Sequence, residues 1–201
     1  MVGKLDPEVL NAHVLSRTGA PDERVTLGPT PGEDAAIIDL GPDSLVVSSD
    51  PISLAAEAIG TLGVPIATND VAASGADPAW LTSTIFLPSD DETQLETVTT
   101  QLDRAARELD VAIIGGHAEV LEDLSRPLLS LTAMGRTDDP VPTGGARPGE
   151  DLLLTAGAGI EGTAILATDF RDELDALPTE TLDRAAEFFE EISVLDAAQA
   201  L

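Results

Sequence analysis

Four stretches of this sequence carry side chains whose types and spacing could do chemistry. Glu33 and Asp34 in PGEDAAII precede a β-branched apolar run, and Asp50 in VVSSDP closes the next one. Asp70, with Asn69 beside it, interrupts the small-residue segment VPIATNDVAASGADPAW, and Gly115, Gly116, His117 and Glu119 in IIGGHAEV follow a short apolar run. Such points at the ends of regular elements are where function sits on a rigid scaffold. Suppose the acids converge. Two carboxylates about 4 Å apart repel by about 4 kcal/mol at an effective dielectric near 20, so several together would protonate or splay. Magnesium removes the difficulty, because it takes carboxylate oxygens together with substrate phosphates and water. The twin glycines add backbone amides that can approach a phosphate closely.

Each residue also has a plainer explanation. Asp70 either points into water, lies buried at a cost, or meets a cation. Asp34 and Asp50 at strand ends can serve as turn or cap residues, and His117 can be a lone loop histidine. A further glycine cluster, AGAGIEGTA at 156–164, lacks both the third-glycine spacing of a dinucleotide fingerprint and the lysine of a Walker A loop. It is either a phosphate nest or a tight connection between strand and helix.

The elements that must position these residues follow from the pattern. LDPEVLNAHVLSR (5–17) reads as a short helix, followed by a Gly/Pro-rich loop through Gly32. AAIIDL (35–40) and SLVVSSD (44–50) read as two strands with a tight turn. Pro65 and Gly75 bracket a helix around Asp70, since proline suits the first turn and glycine the position past the last. WLTSTIFLP (80–88) is an expected strand. In 93–110, Leu95, Val98, Leu102, Ala105, Ala106 and Leu109 recur at helical spacing. VAIIGG (111–116) reads as a strand leading into a loop, and PLLSLTAMG (127–135) as another strand. TDDPVPTGGARPGED (137–151) looks like a domain junction. Beyond it, DLLLTAGAGIEGTAILATDF predicts a strand, a glycine loop and a helix start, and a further helix spans 179–200. Strands joined by helices and hairpins in this order predict an α+β fold with a mixed sheet covered by helices on one side. The domains expected are 1–140 and 141–201. The second has too few residues for an independent core and is expected to be incomplete.

Composition narrows the partners. The 201 residues are 43% hydrophobic, and 37 Asp and Glu stand against 10 Lys and Arg for a net charge of -27. Apolar runs alternate with turns along most of the chain, which argues against disorder as the cause of this acidity. At molar salt the Debye length falls to about 3 Å and self-repulsion is screened, so a salt-requiring, halophilic protein is expected. A phosphate-tracking face needs clustered basic residues, which excludes nucleic acid as a partner; anionic membranes are excluded on the same ground. There is no cysteine, so disulfides and thiolate metal sites are ruled out. No run approaches a membrane span and MVGKLDPEVL lacks a signal-peptide pattern, so a cytoplasmic location is expected.

Taken in order, GEDAAIIDLG, VVSSDPI, ATNDVAASGADPAWLTSTIFLP, IIGGHAEV and GARPGEDLLLTAGAGIEGTAILA resemble the PurM superfamily, from about residue 3 to the end of the chain. That group includes AIR synthase, thiamine-monophosphate kinase, selenophosphate synthetase and the hydrogenase-maturation protein HypE, and the likeness is strongest to archaeal AIR-synthase-related, HypE-like proteins. The resemblance implies a PurM N-terminal-like domain at 1–140 that binds ATP with Mg2+ and dimerises through its sheet, followed by the start of a PurM C-terminal-like domain. It implies nucleotide contacts from Glu33, Asp34, Asn69, Asp70, Gly115, Gly116, His117 and Glu119, and magnesium held by Asp34, Asp50 and Asp70. The chemistry implied is the use of ATP to activate or phosphorylate a small-molecule or carbamoyl-type acceptor, with thiamine-monophosphate kinase and AIR synthase as alternatives. A non-catalytic nucleotide-binding dimerisation module is the alternative of another class. The sequence departs from the family at Ser49, where threonine is usual, at Ala118, where a hydroxyl is usual, and in lacking the C-terminal cysteine of HypE.

Overall fold

The computed structural model describes residues 3–200. Six strands form one sheet: β1 (Val25–Leu27), β2 (Ala35–Asp39), β3 (Ser44–Ile52), β4 (Asp77–Leu87), β5 (Ala112–Val120) and β6 (Leu128–Thr137). Their order is β1-β2-β3-β6-β4-β5. All neighbours are antiparallel except β4 and β5, which are parallel. A parallel pair needs a crossover, and α3 (Glu92–Glu108) supplies it. Asp91 caps that helix by accepting from the Thr93 amide at 2.9 Å.

Alternation decides which side of the sheet is covered. Val46, Ser48 and Ile52 of β3, Leu129, Leu131 and Ala133 of β6, and Leu81, Ile85 and Leu87 of β4 are buried on one face. Against them packs α2 (Ile59–Ala73). On α3, Val98, Leu102, Ala105 and Ala106 are buried, with Leu95 and Leu109 packed at the margin, so the face expected from helical spacing is the one used. The alternate residues Val47, Trp80, Phe86, Leu128 and Met134 stay half-buried on the other face.

Helix α2 is buried almost all round, as a helix without a polar stripe must be. A Cβ at Gly60 would lie 2.6 Å from the Val98 carbonyl oxygen of α3, and one at Gly63 would lie 2.6 Å from Leu131 of the sheet. The two glycines therefore let α2 approach helix and sheet closely. Pro65 does not open this helix but lies inside it, six residues past its start. The apolar stretch from Ile59 to Val64 is buried deeply enough that tertiary packing outweighs the missing amide hydrogen bond. Gly75 does follow the helix end, with φ of 81°.

Other expected boundaries also moved. The N-terminal helix is regular only over α1 (Pro7–Leu10), with a wider turn at Asn11–Leu15. Strand β5 continues past Gly115 and Gly116 through His117 and Glu119, which the sequence placed in a loop. Leu152, Leu153 and Leu154 form no strand and are 96%, 79% and 79% exposed. The helix expected over 179–200 is divided into α5 (Thr179–Ala186), a tight turn at Glu187–Glu191, and α6 (Leu195–Ala200).

The residues after the junction pack back against α2. Ile165 of α4 (Ile160–Asp169) and Ile192 share the central core. Asp169 Oδ1 accepts from the amides of Ala56 and Glu57 at 3.0 and 2.9 Å, tying the end of α4 to the approach to α2. Among the described residues no helix is long and apolar enough to cross a membrane.

Candidate functional site

Asp50 and Asp70 lie 20 residues apart in sequence and meet at one buried hydroxyl. Ser48 Oγ lies 3.3 Å from Asp50 Oδ2 and 3.0 Å from Asp70 Oδ2, and also 3.0 Å from the main-chain carbonyl oxygen of Asp34. Strand alternation puts Ser48 and Asp50 on the helix-facing side of β3. The last turns of α2 bring Asp70 over them, and the pairing of Ala35 with Ser48 delivers the Asp34 carbonyl. Burial pushes the Asp70 carboxyl up to about 6, helped by its contact with Asp50 and by the charge of Asp50; the Ser48 hydrogen bond and the charge of Lys4 pull it the other way.

A hydroxyl has one hydrogen to give, yet three oxygens surround this one. The donor set is all oxygen, two carboxylates and a carbonyl, which suits a hard divalent cation. Among the described residues no group of three or more His, Asp or Glu side chains could hold a metal by itself. A cation here would complete its shell with water and a ligand's oxygens, as magnesium commonly does.

Asp70 also forms part of the wall of a cavity of about 410 Å3, a size common among small-molecule sites, shared with Ile66, Gly157, Gly159, Ile160 and Ile192. The glycine cluster therefore faces the same space as Asp70. Gly159 adopts the left-handed conformation as the cap of α4, and a Cβ there or at Gly162 would meet nothing within 4 Å.

The other residues singled out in the sequence do not join the Asp50–Asp70 pair, although Asn69 lines the same cavity as Asp70. Glu33 Oε2 accepts from the Thr143 amide at 3.1 Å and so fastens the junction segment. Asn69 forms a fork onto the C-terminal segment: its Nδ2 donates to the Ile192 carbonyl at 2.8 Å, and its Oδ1 accepts from the Val194 amide at 2.9 Å. Asn69→Leu, which keeps the bulk and removes both bonds, is expected to cost about 1–3 kcal/mol, measured as a lower unfolding midpoint in denaturant at high salt. Gly115, Gly116, His117 and Glu119 lie on the edge strand. The row Asp50, Leu131, Ser83, Gly116 crosses the sheet in three strand steps, about 14 Å. His117 and Glu119 pair with each other at 2.9 Å. Ser48 escaped the sequence reading, although the alternation Val46, Ser48, Asp50, Ile52 was a signal that its hydroxyl faces inward with Asp50.

Residues 32–137 match the family described as AIR synthase related protein, N-terminal domain. The chain belongs to this family, within the PurM superfamily that its motifs resemble. It is 32% identical over 158 residues to thiamine-monophosphate kinase of Escherichia coli (strain K12), covering 67% of this chain and 44% of that protein. It is 34% identical over 132 residues to carbamoyl dehydratase HypE of Cupriavidus necator, covering 62% and 36%. A crystal structure of the hydrogenase maturation protein HypE in complex with ATP matches with a TM-score of 0.58 at 32% identity, over 71% of this chain and 44% of that one. The chain thus spans less than half the length of these relatives.

Proposed function

We propose that this chain is a Mg-ATP-binding protein of AIR-synthase-related, HypE-like type that uses ATP to activate or phosphorylate a small-molecule or carbamoyl-type acceptor. The observation that carries this reading is the meeting of Asp50 and Asp70 on Ser48 at the edge of a cavity of about 410 Å3. The match to a HypE structure in complex with ATP supports it. Asp50 and Asp70 hold Mg2+ through their carboxylates, with Asp34 beside them. When bound, the metal neutralises phosphate charge and orients the phosphate chain. The protein's own part is positioning: α2 and β3 fix the two carboxylates, and the Gly157–Gly162 turn leaves room for a ligand against the backbone.

The units of this reading are residues 1–140 for ATP binding and dimerisation and 141–201 for a PurM C-terminal-like segment. A homodimer through the sheet is favoured by two features. The face carrying Val47, Trp80, Phe86, Leu128 and Met134 is only half-buried, and β5 presents an unpaired edge with Ile113, Ile114 and Val120 exposed. Unpaired strand edges and exposed apolar surface of this kind are ordinary pairing sites. In that dimer Gly115, Gly116, His117 and Glu119 contribute to the nucleotide site from the shared edge. The acidity of the chain fits a high-salt cytoplasm.

Calorimetric titration of Mg-ATP into the protein in molar KCl is expected to give saturable binding that EDTA abolishes; absence of saturable binding contradicts the reading. A non-catalytic nucleotide-binding dimerisation module is the second possibility. Release of ADP on incubation with Mg-ATP and candidate acceptors separates the two, since the module binds without turnover.

A further inference from the structure

We infer that Ser48 is a positioning residue for the metal site: its buried hydroxyl sets the separation and orientation of Asp50 and Asp70. This rests on the proposed function and goes beyond it, because the residue is neither a ligand nor one of the acids that the sequence motifs mark.

Ser48 is 2% exposed. Its Oγ lies within 3.3 Å of three oxygens, from Asp34 just before β2, Asp50 of β3 and Asp70 of α2. With one hydrogen to donate, the hydroxyl can satisfy only one of them at a time. The other approaches are oxygen against oxygen, a geometry that repels unless positive charge enters. The arrangement is therefore incomplete in the manner of a site built to receive a cation. The hydroxyl is the one group in contact with all three acceptors, so it limits how far the two carboxylates can splay when no cation is present. Groups that fix ligands from just outside the coordination shell typically change metal affinity 10–100-fold when removed.

Neighbouring structure constrains the position tightly. Ser48 pairs with Ala35 on one side and Ala133 on the other, within fully formed ladders. Removing its oxygen deletes one atom from a small, well-supported site, so Ser48→Ala should leave the strand in place while freeing both carboxylates. A purely structural role would lower the unfolding midpoint and leave metal affinity unchanged; a positioning role does the reverse.

The test is titration with Mn2+ alone, followed through the paramagnetic resonance of free Mn2+, on the wild type, Ser48→Ala, Ser48→Cys and Ser48→Thr, with thermal unfolding of each metal-free protein alongside. The expected result is saturable Mn2+ binding in the wild type, weakened about tenfold in Ser48→Ala and Ser48→Cys. Ser48→Thr, which keeps the hydroxyl, should recover most of the affinity. Cysteine nearly preserves shape without a strong donor, and it decides the question if Ser48→Ala does not fold. Wild-type affinity in the folded hydroxyl-free variants overturns the inference while leaving the proposed function standing. No saturable Mn2+ binding by the wild type also overturns the inference, while the Mg-ATP titration judges the proposed function separately.

Discussion

Asp70→Asn is expected to weaken Mg-ATP binding by at least about 100-fold, more than the loss typical of an outer-shell partner, while leaving any association between copies unchanged and making the metal-free protein more stable at neutral pH. The two effects share one cause. Burial and the neighbouring Asp50 push the Asp70 carboxyl up to about 6 from the 3.8 of an ordinary aspartate. An acid whose pKa is raised by folding binds its proton more tightly in the folded state. Its favourable contribution is fully present below about 3.8 and is lost as pH rises through about 6. At pH 7.5 the metal-free wild type therefore carries a buried carboxylate beside another carboxylate, and asparagine removes that charge. The difference between the wild-type and Asp70→Asn melting profiles should open between pH 4 and 7 and narrow when Mg2+ is added. Taking the difference isolates Asp70 from the many other acids of the chain. Calorimetry with Mg-ATP and a series of melting curves in molar KCl measure both effects. Unchanged affinity, or a flat difference across that pH range, would return Asp70 to a role outside any metal site.

The second large effect concerns the glycine pair. A Cβ on Gly116 would overlap the carbonyl oxygen of Ser83 on the adjacent strand, whereas one on Gly115 would meet nothing within 4 Å. The obstacle at Gly116 is backbone in the middle of the parallel ladder between β4 and β5, so it cannot swing aside as the end of a side chain would. Gly116→Ala is therefore expected to cost about 3 kcal/mol and to loosen β5 from the sheet, with loss of any dimer that uses this edge. Gly115→Ala should stay within about 0.5 kcal/mol of wild type. Urea unfolding midpoints at high salt, with sedimentation velocity for the association state, measure the contrast. Equal effects of the two substitutions would mean that β5 does not pair with β4 in this register.

The same pair shows how far the sequence could be read. Hydrophobic periodicity located α3 and the strands around Asp50 and Trp80, because each buries one face against a single neighbour and shows the matching period. It misjudged α2, which is buried on several sides and carries no period, so Pro65 was taken for a beginning when it lies inside. It ended β5 at the glycines, since two consecutive glycines usually punctuate a strand, whereas Gly116 is there because a backbone passes close by. The leucines 152–154 have the composition of a strand but find no neighbouring strand to pair with among the described residues. At the candidate site the acids Asp50 and Asp70 were legible as residues that break apolar surroundings. Their partner Ser48 was not, because serine among small residues draws no notice until three oxygens are seen around it. The forks made by Asn69 to Ile192 and Val194, and by Asp169 to Ala56 and Glu57, join segments more than a hundred residues apart. No local pattern encodes contacts of that range.

The most direct test of the central claim is a crystal structure with Mn2+ and a non-hydrolysable ATP analogue, read through the anomalous signal of manganese. A metal peak is expected about 2.0–2.5 Å from carboxylate oxygens of both Asp50 and Asp70, with phosphate oxygens completing the shell. An ordered nucleotide whose metal lies elsewhere, with the Asp50 and Asp70 carboxylates left without a cation, would contradict it.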